Sequence, residues 1–290
     1  MVIAFCVDEK MIQHLLVCIH SIIDTNSDEN LEFYVLNKDI TEKSKFLVNE
    51  NLGKSAVSVH FIDVNQERFA NLMVSHHITI EAYFRIALAD LLPQRINRVI
   101  YLDCDIILLG SLKPLWHIEL NGFKLAAVAE LFNYRNVELG FNKDVKYFNS
   151  GVLVIDLSVW RTEQISNQIF DYLEMHPEKI KFHDQDALNA VLINKWLELP
   201  EIYNYTIPYI DRSRKSKNDL NFKPELPVVM HFNQSFKAWH YQSRHPYKEL
   251  YYKYLERTPF KNFIPKDYTV TNVIRKLLAR VLIRLNLKTY

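Results

Sequence analysis

The chain has 290 residues, 49% of them apolar, and a formal net charge of +1. That is enough apolar material for one large core, with or without an appendage, and no global excess of positive charge marks a nucleic-acid binder. Three scattered cysteines (Cys6, Cys18 and Cys104) form neither a CxxC pair nor an even-numbered framework, which fits reduced thiols in a reducing compartment.

In chain order, "MVIAFCVDEK" has no basic leader and meets an acid at Asp8, so a first strand over 2–7 is expected rather than a signal peptide. Apolar spacing predicts a helix over 11–24, a strand over 31–37, a helix over 41–52 and a strand over 58–64. "TIEAYFRIALADLL" reads as a helix over 79–92 that stops at Pro93, and "RVIYLDCD" as a strand over 98–105. Strands are further expected over 124–130, 151–157 and 227–232, and helices over 158–175 and 184–195. Residues 211–225 read as a polar, basic loop, 257–268 as a linker and 270–287 as a tail helix. Strands alternating with helices imply an α/β fold, a mostly parallel sheet with helices on both faces. Such sheets bind ligands beyond the carboxyl ends of their strands, where Asp8, Asp103 and Asp105 fall. No apolar run reaches about 18 residues, so no spanning helix is expected.

Five glycines form neither GxGxxG nor GxxxxGK[ST]. Any nucleotide phosphates must therefore be met by side-chain cations or a metal rather than a glycine-rich loop. "VIYLDCDIILLG" (99–110) places two acids inside an apolar run. In this strand Asp103 and Asp105 share one face and repel each other, unless positive charge lies between them or one keeps its proton. Two carboxylates on one face suit a hard divalent ion such as Mg2+ or Mn2+; a solvated strand end is the plainer reading. His231, after the last buried strand, is either structural or a third ligand, and imidazole suits Mn2+ better than Mg2+. Lys237 stands where it can offset phosphate charge. Arg85, Asn149 and the "HDQDALN" acids each have a local reading: a solvated helix face, a turn before a strand, and acids in the first turn of a helix.

Taken together, "VDEKMIQHL", "EAYFRIALADLLP", "RVIYLDCDIILLGSLKPLW", "YFNSGVLVIDLSVWR", "HDQDALN" and "MHFNQSFKAWH" resemble, in order over residues 1–255, the retaining sugar-nucleotide transferases of glycosyltransferase family 8. These include bacterial lipopolysaccharide galactosyl- and glucosyltransferases. The resemblance implies a Rossmann-like GT-A fold over 1–256, followed by a linker and basic amphipathic helix over 257–290. It implies Mn2+ (or Mg2+) on Asp103, Asp105 and His231, bridging a UDP diphosphate contacted by Lys237. It further implies Asp8 on the uridine, Arg85 on the donor, and Asn149, Asp184 and Glu130 on the donor sugar. Gln185 is similar to the residue beneath the reacting anomeric carbon. The implied reaction moves galactose or glucose from a UDP-sugar to a glycan acceptor of a surface polysaccharide. This chain departs from the family at Met11, where an aromatic residue often stacks on uracil, at Glu9 and Lys10, and in the loop "NQSF".

Two other readings compete. A non-catalytic sugar-nucleotide or glycan-binding protein with a decayed site would also carry these segments. A nucleotidyltransferase would need the glycine-rich N-terminal loop that is absent here. In the tail, Val270, Val273, Ile274, Leu277, Leu278, Val281 and Leu285 form one apolar stripe beside Arg275, Lys276, Arg280, Arg284 and Lys288. That pattern predicts an interfacial helix on anionic lipid and a cytoplasmic enzyme held at the inner face of the membrane; a helix packed on the core is the alternative.

Overall fold

A computed structural model describes residues 1–53, 55, 57–70, 72, 79–131, 135–215 and 226–284. Its strands are β1 (Val2–Cys6), β2 (Leu31–Asn37), β3 (Val57–Asp63), β4 (Arg98–Leu102), β5 (Ile106–Leu108), β6 (Leu125–Ala129), β7 (Phe148–Asp156), β8 (Trp196–Glu198) and β9 (Val229–His231). Seven form one sheet in the order β3-β2-β1-β4-β7-β6-β8, and β5 pairs with β9 in a second, two-stranded sheet. β3, β2, β1 and β4 run parallel; β7 enters antiparallel between β4 and β6, and β8 runs parallel to β6.

Both faces of the large sheet are buried along its central strands, so alternate residues there feed two apolar layers. Ile3, Phe5, Phe33, Val35, Ile100, Leu102, Val152 and Val154 pack on one side with the helix Ile12–Thr25. Ala4, Tyr34, Leu36, Val99, Tyr101, Leu153 and Ile155 pack on the other with Phe84, Leu88, Trp160 and Ile169.

The largest difference from the sequence reading lies at the acid pair. The expected strand over 98–105 ends at Leu102, and the chain turns through Asp103–Asp105 before β5 begins in the other sheet. The Asp103 N–H still donates to the Gly151 carbonyl (2.8 Å), and the Phe232 N–H donates to the Asp105 carbonyl (2.9 Å). One acid therefore closes the β4–β7 ladder and the other opens the β5–β9 ladder, where Ile106 faces His231. Their common side is set by this change of sheet, not by strand alternation.

Other differences are local. The helix expected over 79–92 is divided by a 3-10 turn at Arg85–Ala87, whose first residue donates from Nε to the Ala82 carbonyl (2.9 Å). That expected over 158–175 breaks at Gln164, which takes a left-handed backbone (φ 56°) between Leu157–Thr162 and Ile165–Met175. The helix His183–Val191 stops short of 195, and the three-residue β8 after it gave no sequence signal. β7 begins three residues before the expected start, which places Asn149 and Ser150 inside the strand. The expected loop over 211–225 begins inside the helix Ile207–Lys215; residues 216–225 lie outside the described residues. A further helix, Lys248–Leu255, follows β9.

The segment expected as a linker is docked. Phe260 and Phe263 pack on the core, and the Asp267 carboxylate accepts the N–H groups of Tyr241 (2.8 Å) and Gln242 (2.9 Å). The tail helix runs Val270–Arg284, with Val270, Ile274, Leu277 and Leu278 exposed. Lys276 turns toward the core, donating to the Tyr241 carbonyl (2.6 Å). The expected stripe residue Leu285, and Lys288, lie outside the described residues. Among the described residues no helix is long and apolar enough to cross a membrane.

Candidate active site

β7 runs opposite to β4, so its first residues lie beside the carboxyl ends of β1 and β4. A cavity of about 600 Å³ opens there, lined by all ten side chains singled out from the sequence: Asp8, Arg85, Asp103, Asp105, Glu130, Asn149, Asp184, Gln185, His231 and Lys237.

The two acids are each held by a cation. Arg85 Nη2 lies 3.0 Å from Asp103 Oδ1, which also accepts the Tyr101 hydroxyl (2.6 Å). Lys237 Nζ donates to Asp105 Oδ2 (2.5 Å), while His231 Nε2 lies 3.2 Å from Asp105 Oδ1 and 3.8 Å from Asp103 Oδ2. Burial alone would raise the Asp105 carboxyl, but Lys237 and His231 outweigh it and hold the group well below the usual carboxylate range. Asp105 is thus ionised at neutral pH, as a cation site requires.

One ligand atom from each of Asp103, Asp105 and His231 lies within 4.8 Å of the others. The space between them exists because residue 151 is glycine. A methyl group on it would overlap His231 Cε1 and come within 2.8 Å of Asp103 Oδ2. Two carboxylate oxygens and one imidazole nitrogen around such a gap fit a divalent ion, and Mn2+ better than Mg2+.

Arg85 sits under this floor. Besides Asp103 it engages Asp184 (Nε to Oδ2, 3.2 Å), the Ser150 carbonyl (Nη1, 2.8 Å) and the Ser150 hydroxyl (Nη1, 3.1 Å), and its guanidinium lies over the Tyr101 ring. It is buried, and the solvated helix face is excluded. Burial raises the Asp184 carboxyl, an effect that Arg85 and the Ser150 hydroxyl oppose.

Gln185 follows Asp184 at the start of the helix His183–Val191. Its Oε1 accepts the Ser150 N–H (2.9 Å), and its Nε2 donates to the Tyr147 hydroxyl (3.3 Å). This turn is anchored by fully buried Asp186, which accepts bonds from Arg135 (3.1 and 2.7 Å), the Tyr147 hydroxyl (2.8 Å) and the N–H groups of Lys181 and Phe182 (2.7 Å each). Acids in a first turn need no more than the helix dipole; here Asp186 is the anchor that sets the Gln185 side chain.

Toward the other end of the cavity, the half-buried Asp8 accepts the Met11 N–H (3.1 Å). Burial, and then Glu81 nearby, push its carboxyl up. Glu9 turns away from the cavity to bond the Thr41 N–H and the Ser44 hydroxyl (3.0 and 2.6 Å). Asn149 Nδ2 donates to Glu130 Oε1 (2.7 Å), and Asn149 Oδ1 accepts the Gly151 N–H (2.9 Å). Sequence reasoning missed Tyr101, Tyr147 and Asn204. Tyr101 and Tyr147 lie within two of the motifs and Asn204 in none, and each is tied to the site by a side-chain hydrogen bond, to Asp103, Asp186 and Asn149 respectively.

Comparison with known proteins places this architecture. The family model described as Glycosyl transferase family 8 matches residues 2–243. General stress protein A of Bacillus subtilis (strain 168) is 32% identical over 268 residues, covering 88% of this chain and 93% of that protein. A lipopolysaccharide 1,2-glucosyltransferase of Escherichia coli (strain K12) is 28% identical over 276 residues, 91% of this chain and 80% of the other. The crystal structure of galactosyltransferase LgtC in complex with donor and acceptor sugar analogs superposes with a TM-score of 0.81 at 26% identity. That match covers 92% of this chain and 99% of LgtC.

The contact at residue 151 gives a direct test. Gly151→Ala is expected to weaken Mn2+ binding by at least about tenfold, the scale of damage to a metal site's surroundings. Far-UV circular dichroism should be unchanged. Free Mn2+ measured by electron paramagnetic resonance reads the effect; wild-type affinity in the variant would show that the gap is not the ion's site.

Proposed function

The chain belongs to glycosyl transferase family 8, and on that premise we propose that it moves galactose or glucose from a UDP-sugar to a glycan acceptor in the synthesis of a surface polysaccharide such as lipopolysaccharide, with retention at the anomeric carbon. The observation that carries the reading is the convergence of ten side chains on one cavity around an oxygen, oxygen, nitrogen ligand set. The catalytic domain in this reading is 1–256, with 257–290 as its appendage.

Asp103, Asp105 and His231 would hold Mn2+ (or Mg2+). When bound, such an ion stabilises negative charge on a leaving diphosphate. Lys237 adds a fixed positive charge beside it. Asp8 faces the uridine; Asn149, Asp184 and Glu130 orient the sugar hydroxyls; and Arg85 acts on the donor side chiefly by fixing Asp103 and Asp184. The Gln185 carbonyl oxygen already accepts the Ser150 N–H, which favours a positioning amide over a nucleophile. In a front-face reaction the acceptor oxygen bonds to the anomeric carbon as the bond to phosphate breaks, and the departing phosphate takes the acceptor's proton.

The tail helix is read as an interfacial element on anionic lipid at the inner face of the membrane. Its support is the exposed Val270, Ile274, Leu277 and Leu278 beside the exposed Arg275.

Three outcomes test these readings. With Mn2+ and UDP-glucose or UDP-galactose, the protein should release UDP slowly without acceptor; Asp105→Asn should lower this at least about 100-fold with the fold intact. A wild type that binds UDP and never releases it from the sugar nucleotide would favour the decayed binding protein. Gln185→Ala should retain residual turnover, lowered by about 100-fold, and peptide mass spectrometry should find no sugar on Gln185 in the native enzyme; a trapped glycosyl-Gln185 would overturn the front-face route. Truncation after Thr269 keeps Asp267 on Tyr241 and Gln242. It should release the protein from phosphatidylserine-containing vesicles without altering UDP-sugar hydrolysis, and unchanged vesicle binding would remove the lipid role.

A further inference from the structure

His231 is buried, and its Nδ1 lies 2.8 Å from Asn204 Oδ1. Either ring nitrogen of a neutral imidazole can carry the proton, and which one does is decided by the partner. Here that partner belongs to a chain of side-chain amides whose direction is fixed at its far end.

Glu130 presents a carboxylate oxygen, which can only accept, so the Asn149 amide must turn its Nδ2 to it (2.7 Å). Asn149 Oδ1 then faces the Gly151 backbone N–H (2.9 Å), which can only donate. The same oxygen receives Asn204 Nδ2 (2.8 Å). With its nitrogen so engaged, Asn204 has only its oxygen left for His231, and an oxygen of that kind can only accept. Nδ1 of His231 therefore carries a proton. In the neutral ring this leaves the Nε2 lone pair facing Asp103 and Asp105.

Asn204 is held where this works. It is buried and ends the 3-10 turn Glu201–Tyr203, its N–H donating to the Glu201 carbonyl (3.0 Å). Tyr205 beside it bridges β9 in parallel: its N–H donates to the Val229 carbonyl (2.8 Å) and its carbonyl accepts the His231 N–H (3.2 Å). The backbone thus fixes the Asn204 and His231 side chains side by side.

We propose that Asn204 is the positioning residue of the ligand set: with Asn149 and Glu130 it locks His231 in the Nδ1-protonated form and aims Nε2 at the ion. The proposal rests on the metal reading of Asp103, Asp105 and His231. A ligating histidine whose other nitrogen is bonded to a fixed acceptor is held in orientation and made a better ligand, and loss of such a partner costs about 10- to 100-fold in metal affinity.

The test uses the full chain, Mn2+ and UDP. Asn204→Ala should weaken Mn2+ binding at least about tenfold by electron paramagnetic resonance, and Asn204→Asp, which keeps an oxygen for Nδ1, should recover most of that loss. Equal Mn2+ affinity in wild type and Asn204→Ala would overturn the proposal, as would an Asn204→Asp variant no better than Asn204→Ala at equal melting temperature. Histidine-selective 15N spectra of the metal-free wild type supply a readout that no variant's folding can blur. At a pH where the His231 ring is neutral, a proton on Nδ1 with Nε2 bare supports the lock, and an unprotonated Nδ1 overturns it. A wild type that shows this proton and binds no Mn2+ would sink the metal reading while upholding the lock. One that binds Mn2+ and never cleaves a UDP-sugar would sink only the transferase reading.

Discussion

The site depends on holding two carboxylates side by side, ionised, at a place where the chain passes from one sheet to another. Asp103 ends the ladder that β4 makes with β7, and Asp105 begins the one that β5 makes with β9. Each is neutralised by its own cation, Arg85 beneath one and Lys237 beside the other. Buried charge without a partner is costly, so this arrangement obliges the rest of the fold to deliver a guanidinium from the 81–91 segment and an ammonium from the loop after β9. The cations differ in kind: Arg85 is locked by several acceptors under the floor, whereas Lys237 meets Asp105 alone among the acceptors described for it.

The antiparallel entry of β7 is the second condition. A parallel strand in that place would bring its carboxyl end to the cleft; β7 brings its amino end, and with it Asn149, Ser150 and Gly151. These three consecutive residues serve three neighbours. Asn149 faces Glu130 and Asn204, Ser150 binds Arg85, Asp184 and Gln185, and Gly151 leaves room between His231 and Asp103. A strand start that reads locally as a plain turn therefore joins the ligand set to the helix that carries Asp184 and Gln185.

That helix is set by charge as well. Asp186 is fully buried with five donors around it, among them the Arg135 guanidinium. His183 before it takes a left-handed backbone (φ 51°). Strain of that kind persists only where surrounding bonds over-determine it, and here it turns Asp184 and Gln185 together into the cavity. At the opposite end of the chain the tail is tied to the body through Asp267 and Lys276 and keeps an apolar face outward.

The sequence by itself determined the alternation of strands and helices, because burial on both sheet faces writes continuous apolar runs and amphipathic helices write a 3.6-residue period. It pointed to the ten cavity residues too: Asp8, Asp103, Asp105 and His231 by their residue type at strand ends, and the others chiefly through the resemblance of the ordered motifs to family 8. It could not determine that "VIYLDCDIILLG" is two strands in two sheets, since an apolar run looks the same whether or not the chain turns within it. Nor could it assign the antiparallel sense of β7 or the three-residue β8, for which hydrogen-bond pairing, not side-chain pattern, decides. Arg85 read as a helix-face residue because its acceptors, Asp103, Ser150 and Asp184, lie up to about a hundred positions away in sequence and are brought to it only by packing. Asn204, in the unremarkable stretch "EIYNYT", became legible only once Tyr205 was seen bridged to β9. Local pattern records which groups are present and which faces are buried; which of them meet, and which way each hydrogen bond runs, is settled by strand pairing over long sequence separations.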